Sequence, residues 1–139
     1  MKFTNSMRTS LFSLLGALLI SFSSFAQAPE KMSYQAVIRD ADNTLVTNQE
    51  IGMQISVLQN GTAVYEETQT PTSNTNGLVS LEIGTGTVIS GSFASIDWSV
   101  NPSFIKIETD PTGGTNYTIT STSQLLSVPY AMYAKTSGS

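Results

Sequence analysis

The 139-residue chain contains no cysteine and no histidine. Without cysteine there are no disulfides, so the fold rests on its own apolar core, and no N-terminal cysteine exists to carry a lipid. Without histidine the commonest general base, the commonest zinc ligand and every Ser-His or Cys-His nucleophile pair are missing. Basic residues are also scarce: six Lys and Arg stand against ten Asp and Glu. Lys2 and Arg8 lie in the first 26 residues, so the chain from Gln27 onward carries a formal charge of about −6. Such a surface repels phosphate backbones, and no basic stripe offsets it, which argues against nucleic-acid binding. Nor is there a basic amphipathic helix to lie on an anionic membrane. Helical periodicity is absent too; no window after residue 26 sustains it for three turns.

Residues 1–26 have a composition of their own. Lys2 and Arg8 give a positive start, and Leu11 to Ile20 is an apolar run broken only by Ser13 and Gly16. Ser24-Phe25-Ala26 then places small residues at the −3 and −1 positions of a cut before Gln27. This is the layout of a cleavable secretion signal, and the run is too short to span a hydrocarbon layer of about 30 Å. The expected organisation is a signal peptide over 1–26, a β-sandwich over 27–131 and a tail or linker start over 132–139. Signal cleavage should release a soluble product with no stable membrane insertion. A 113-residue remainder suits one domain that buries about two-thirds of its surface.

The rest of the chain is punctuated by turn residues at the spacing of short strands. Met32, Tyr34, Ala36 and Ile38 alternate with Ser33, Gln35, Val37 and Arg39, until Asp40-Ala41-Asp42-Asn43 breaks the run. Ile51, Met53, Ile55 and Val57 form the clearest alternation. Asn60-Gly61 follows and predicts a β-hairpin into Ala63–Thr70, because both residues accept positive φ. Val79, Leu81 and Ile83 share one face of another strand, which Gly84-Thr85-Gly86 ends. From Val88 to Asn101 the pattern is irregular, with Phe93, Ile96 and Trp98 spaced as anchors capping one end of the core. Ile105 and Ile107 mark a strand over Phe104–Thr109, Asp110-Pro111-Thr112-Gly113-Gly114 a tight turn, and Tyr117–Val128 the last strand or pair. Tyr130, Met132 and Tyr133 fit one short helical turn after Pro129. Six or seven short strands that must each bury one face predict an antiparallel β-sandwich.

Tyr34-Gln-Ala-Val-Ile-Arg-Asp40, Gly77-Leu78, Glu82-Ile-Gly-Thr-Gly86, Ser95-Ile-Asp-Trp98 and Ser127-Val-Pro-Tyr-Ala-Met-Tyr-Ala-Lys135 together resemble a recurrent N-terminal domain of secreted bacterial surface proteins. In such proteins the domain precedes collagen-like, tail-fibre-like or repeat regions, so an ending at Ser139 implies a short form or a fragment. A looser similarity is to transthyretin-like or carboxypeptidase-regulatory-like sandwiches. These resemblances imply a Greek-key sandwich of about seven strands with a scaffolding or interaction role, and they bring no catalytic residues. The implied partner is a protein or glycan at the cell surface.

The remaining candidates each have a plainer reading. Asp40 and Asp42 with Asn43 are the only clustered oxygen ligands, but the glycine and bidentate glutamate of a calcium loop do not follow at the needed spacing. Turns require the same residues. Ser103-Phe-Ile-Lys106 matches Ser-x-x-Lys, a pairing that needs a helix, whereas strand alternation sends Ser103 and Lys106 to opposite faces. Gly84-Thr85-Gly86 hints at a phosphate loop, yet no lysine or helix follows. Asp97, Asp110 and the glutamates are candidates for a glycosidase-like acid and base, but a sandwich of this size has little material for the cleft such an enzyme needs. Glu66 and Glu67 adjoin on a strand and so face opposite ways. Asn60-Gly-Thr62 and Asn116-Tyr-Thr118 match the glycosylation sequon at expected turns. Tyr65, Tyr117, Tyr130, Tyr133 and Trp98 are the residues from which a sugar-binding platform would be built, against their commoner use as core aromatics. No catalytic, cofactor or metal residue is assigned.

Overall fold

Period-two alternation of apolar and polar residues becomes two antiparallel sheets facing one another across a core. The computed structural model describes residues 31–100 and 102–126. Its strands are β1 (Met32–Val37), β2 (Gly52–Gln59), β3 (Thr62–Gln69), β4 (Leu78–Ile83), β5 (Thr87–Gly91), β6 (Ser103–Asp110) and β7 (Ile119–Leu125), with one 3₁₀ turn at Phe93–Ser95. β1 and β4 make a two-stranded sheet; the second sheet runs β5-β3-β2-β6-β7. The connection from β5 to β6 crosses the positions of β3 and β2, a long return of Greek-key kind. This is the all-β sandwich that the sequence predicts.

The core lies between the sheets. Met53, Ile55 and Val57 of β2, Ile105 and Ile107 of β6, and Val79, Leu81 and Ile83 of β4 are all buried in it. A fully buried aliphatic side chain of this size contributes about 1.5–3 kcal/mol, so these positions carry much of the stability. At the Asn60-Gly61 hairpin both residues have positive φ, 52° and 76°. That matches the twist of the flanking strands.

Two register shifts decide which side chains meet the core. Leu58 pairs with Ala63 but Val57 pairs with Tyr65, so Val64 is an extra residue. Without this bulge Val64 and Glu66 would face inward; with it Tyr65 and Glu67 do. A second shift, where Glu66 pairs with Ser90 and Glu67 with Val88, leaves Ile89 as the extra residue of β5.

Most strand positions follow the sequence pattern, with one correction. The sequence pattern from Val88 is irregular, but Thr87–Gly91 is an edge strand. All five of its residues are exposed and its bulge sets Val88 beside Ile89, so no alternation is visible in the sequence. Phe93 and Ile96 do pack against the core edge, while Trp98 is 41% exposed. The signal peptide over 1–26, the helical turn at Tyr130–Tyr133 and the tail over 132–139 lie outside the described residues.

Candidate functional site

Glu67 is the most enclosed charged side chain of the described fold, with none of its surface exposed. Its Oε2 accepts hydrogen bonds from the Tyr65 hydroxyl at 2.5 Å, the Gly84 amide at 3.0 Å and the Gly86 amide at 3.1 Å. Its Oε1 accepts from Gln69 Nε2 at 2.6 Å, and the same nitrogen donates to the Glu82 carbonyl at 2.8 Å. Four donors thus converge on one buried carboxylate, which offers only acceptors when ionised. Burial, then the Glu67 hydrogen bond and charge, push the Tyr65 hydroxyl well above its ordinary pKa. Because β4 and β5 belong to different sheets, this cluster ties β3 to the turn where the chain crosses between them.

Gly84-Thr85-Gly86 is the turn between β4 and β5, the plainer of its two readings. Gly84 and Gly86 amides do hold an anion, but it is the chain's own Glu67. A β-carbon on Gly86 would lie 2.6 Å from the Thr68 carbonyl, so the close approach requires glycine.

Asp110 does the same work two strands away, at the end of β6. It is 3% exposed; its Oδ1 accepts from the Thr112 amide and hydroxyl at 2.9 and 2.6 Å, and its Oδ2 from the Asn116 amide at 2.9 Å. These bonds, those from Thr112 foremost, hold its pKa below the ordinary carboxylate value. Asp97, exposed, is lowered in the same way by the hydroxyl and amide of Ser99. Asp110 ends β6, whose eight residues span about 24 Å, and Asp97 lies by its start, where its carbonyl accepts from Gln59, the partner of Ser103. A glycosidase pair needs about 5–9.5 Å, so Asp97 and Asp110 cannot act together.

The other candidates also settle into structural positions. Asp40 Oδ1 caps the amides of Asp42 and Thr44, both at 2.9 Å, while Asn43 takes φ 63° and Arg39 Nη1 donates to the Asn43 carbonyl. This is a turn built by its aspartate, and among the described residues no three His, Cys, Asp or Glu converge as for a metal ion. Ser103 is buried, accepting from Gln59 Nε2 at 3.0 Å and donating to the Val100 carbonyl at 2.9 Å. Lys106 projects from the other face to Glu108 at 2.9 Å, so the two do not meet. Glu66, opposite in facing to Glu67, accepts from Ser56 and Ser90.

Tyr65 must be removed from the sugar-platform set, since it is fully buried. It packs edge-on against Phe93 at 5.3 Å, and Phe93 packs likewise on Trp98 at 5.6 Å. Tyr117 is half-buried. Trp98 is thus the exposed end of an aromatic relay into the core.

Among the described residues β1 pairs only with β4 and β7 only with β6, so an edge of each sheet that no described strand covers borders the same seam. Between them lies a cavity of about 210 Å³, lined by Met32, Tyr34, Ile83, Ile105, Ile107 and Leu125. Along β7 the inward positions at mid-strand are Ser121 and Ser123, small enough to leave that space unfilled. β7 carries no charge, no proline and no register shift, the features with which sheet edges are ordinarily guarded.

Residues 33–123, from β1 to β7, match the family described as a domain of unknown function, DUF8740. The chain belongs to that family. No curated protein and no solved structure matches it. The DUF8740 region includes most of β1 and β7 and every hydrogen-bond partner of Glu67. Among its described residues no helix is long and apolar enough to cross a membrane.

Proposed function

We propose that this DUF8740 chain is a non-catalytic, exported module of a bacterial cell-surface protein, with a structural or adhesion-type interaction role as a scaffold for display or assembly. The observation that carries this reading is the use made of the buried carboxylates. Glu67 holds the turn at 84–86 and Asp110 the turn at 112–116, each through the chain's own amides. Carboxylates bonded in this way stiffen loops and fix the relation of the sheets. Fold alone is a poor guide to function, so the weight rests on these side chains and on the secretion-signal layout of residues 1–26. The resemblance of Ser127–Lys135 and its companion motifs to surface-protein domains adds to it, as does the acidic surface. The partner is a protein or glycan at that surface.

Labelling intact cells with an amine reagent that does not cross membranes tests the surface role. Lys31, exposed beside Glu82, should be modified on whole cells. Modification only after lysis would contradict a surface position.

A further inference from the structure

We propose that Asn60-Gly61, at the tip of the β2–β3 hairpin, is a site of spontaneous modification, where the asparagine side chain cyclises onto the Gly61 amide and opens to aspartate or isoaspartate. This inference concerns the chemistry of the hairpin and does not depend on the surface role. The Gly61 nitrogen, its proton taken by hydroxide, attacks the side-chain carbonyl carbon of Asn60. A C–N bond forms there, the bond to the side-chain nitrogen breaks, and ammonia leaves with a proton from water. Water then opens the cyclic imide. Attack at the side-chain carbonyl gives aspartate; attack at the main-chain carbonyl gives isoaspartate, whose main chain runs through the β-carbon.

Asn-Gly occurs twice, at 60–61 and 76–77, and glycine leaves the attacking nitrogen least hindered. Asn43, Asn48, Asn74 and Asn116 each precede a residue whose side chain crowds the attack. Both glycines have positive φ, 76° and 72°, so backbone conformation does not separate the two sites. Their amides do. Gly77 is buried, its amide donates to the Asn74 carbonyl at 3.0 Å, and a β-carbon there would lie 3.1 Å from Leu45. Gly61 is exposed, its amide has no acceptor among the described residues, and a β-carbon there would meet nothing within 4 Å. Asn60 is exposed too, and its side chain bonds to no described residue. Nucleophile, carbonyl and water thus meet at Asn60 alone of the pair.

The two products act differently on the hairpin. Aspartate, like asparagine, tolerates positive φ, here 52°, and keeps the turn. Isoaspartate adds a carbon to the main chain between Gln59 and Thr62, which pair directly. The turn that fixes the register of β2 on β3 is then too long.

The full chain is incubated in mildly alkaline buffer, folded and in urea, and peptide mapping follows both sites. In urea the two asparagines should convert at similar rates. In the folded chain Asn76 should be at least about tenfold slower than Asn60, because its reaction must first free a buried, bonded amide. Gly61→Ala, whose methyl group crowds the attack, should slow conversion at Asn60 at least about tenfold. A smaller difference between the sites in the folded chain, an unchanged rate in Gly61→Ala, or no conversion at Asn60 while the chain in urea converts would each overturn the proposal.

Discussion

The Tyr65 hydroxyl donates to Glu67 Oε2 at 2.5 Å, two residues along one strand, with both side chains wholly buried. Removing the carboxylate leaves three donors without their acceptor: the buried hydroxyl and the half-buried Gly84 and Gly86 amides. Glu67→Ala should therefore cost about 3–5 kcal/mol in urea unfolding, well beyond an ordinary hydrogen bond. Tyr65→Phe leaves the other donors in place and should cost about 1 kcal/mol. Equal losses for the two variants would show that the cluster does not hold the turn at 84–86.

The same pair sets the alkaline limit. The folded hydroxyl titrates above its ordinary value, with burial the foremost cause and Glu67 adding to it. Above about pH 10 the unfolded chain loses this proton while the folded chain keeps it. Stability should be intact below that pH and fall as pH rises through it. Unfolding followed by phenolate absorbance and by circular dichroism checks this, and Tyr65→Phe should shallow the fall.

Asp110 governs the acid side. Its pKa is depressed by the Thr112 hydroxyl and amide and by the amides of Asn116 and Gly114. A depressed carboxylate stabilises the fold above the unfolded-state value, near 4, and that stabilisation is lost as pH falls below it. Asp110→Asn should lower stability at neutral pH and flatten the acid limb; an unchanged limb would show that the 110–116 loop is held by other contacts.

Two glycines separate steric from conformational need. A β-carbon on Gly52 would lie 1.8 Å from the Gly114 carbonyl, whereas one on Gly61 would meet nothing within 4 Å. Gly52→Ala should cost about 3 kcal/mol, because β2 must part from the loop it packs on. Gly61→Ala, with φ of 76° its only difficulty, should cost about 1 kcal/mol. Thermal melting of the two variants side by side is sufficient.

These residues also mark what is legible in the sequence. Alternation alone places β2, β4 and β6 and their buried faces, and Asn60-Gly61 places the hairpin. The facing of β3 is hidden, because the bulge at Val64 reverses it and sends Tyr65 and Glu67 inward where a carboxylate is not looked for. β5 is hidden by its bulge and full exposure. The Glu67 cluster left a faint signal: Tyr and Gln two residues to either side, and a Gly-x-Gly turn. Its meaning depends on β3 lying next to β5, a pairing that no local pattern encodes.

Export is the central claim, and the most direct measurement is the location and N-terminal residue of the native product. The export reading predicts a product beginning at Gln27, found outside the cytoplasm. A product retaining Met1 to Ala26 and confined to the cytoplasm would contradict it.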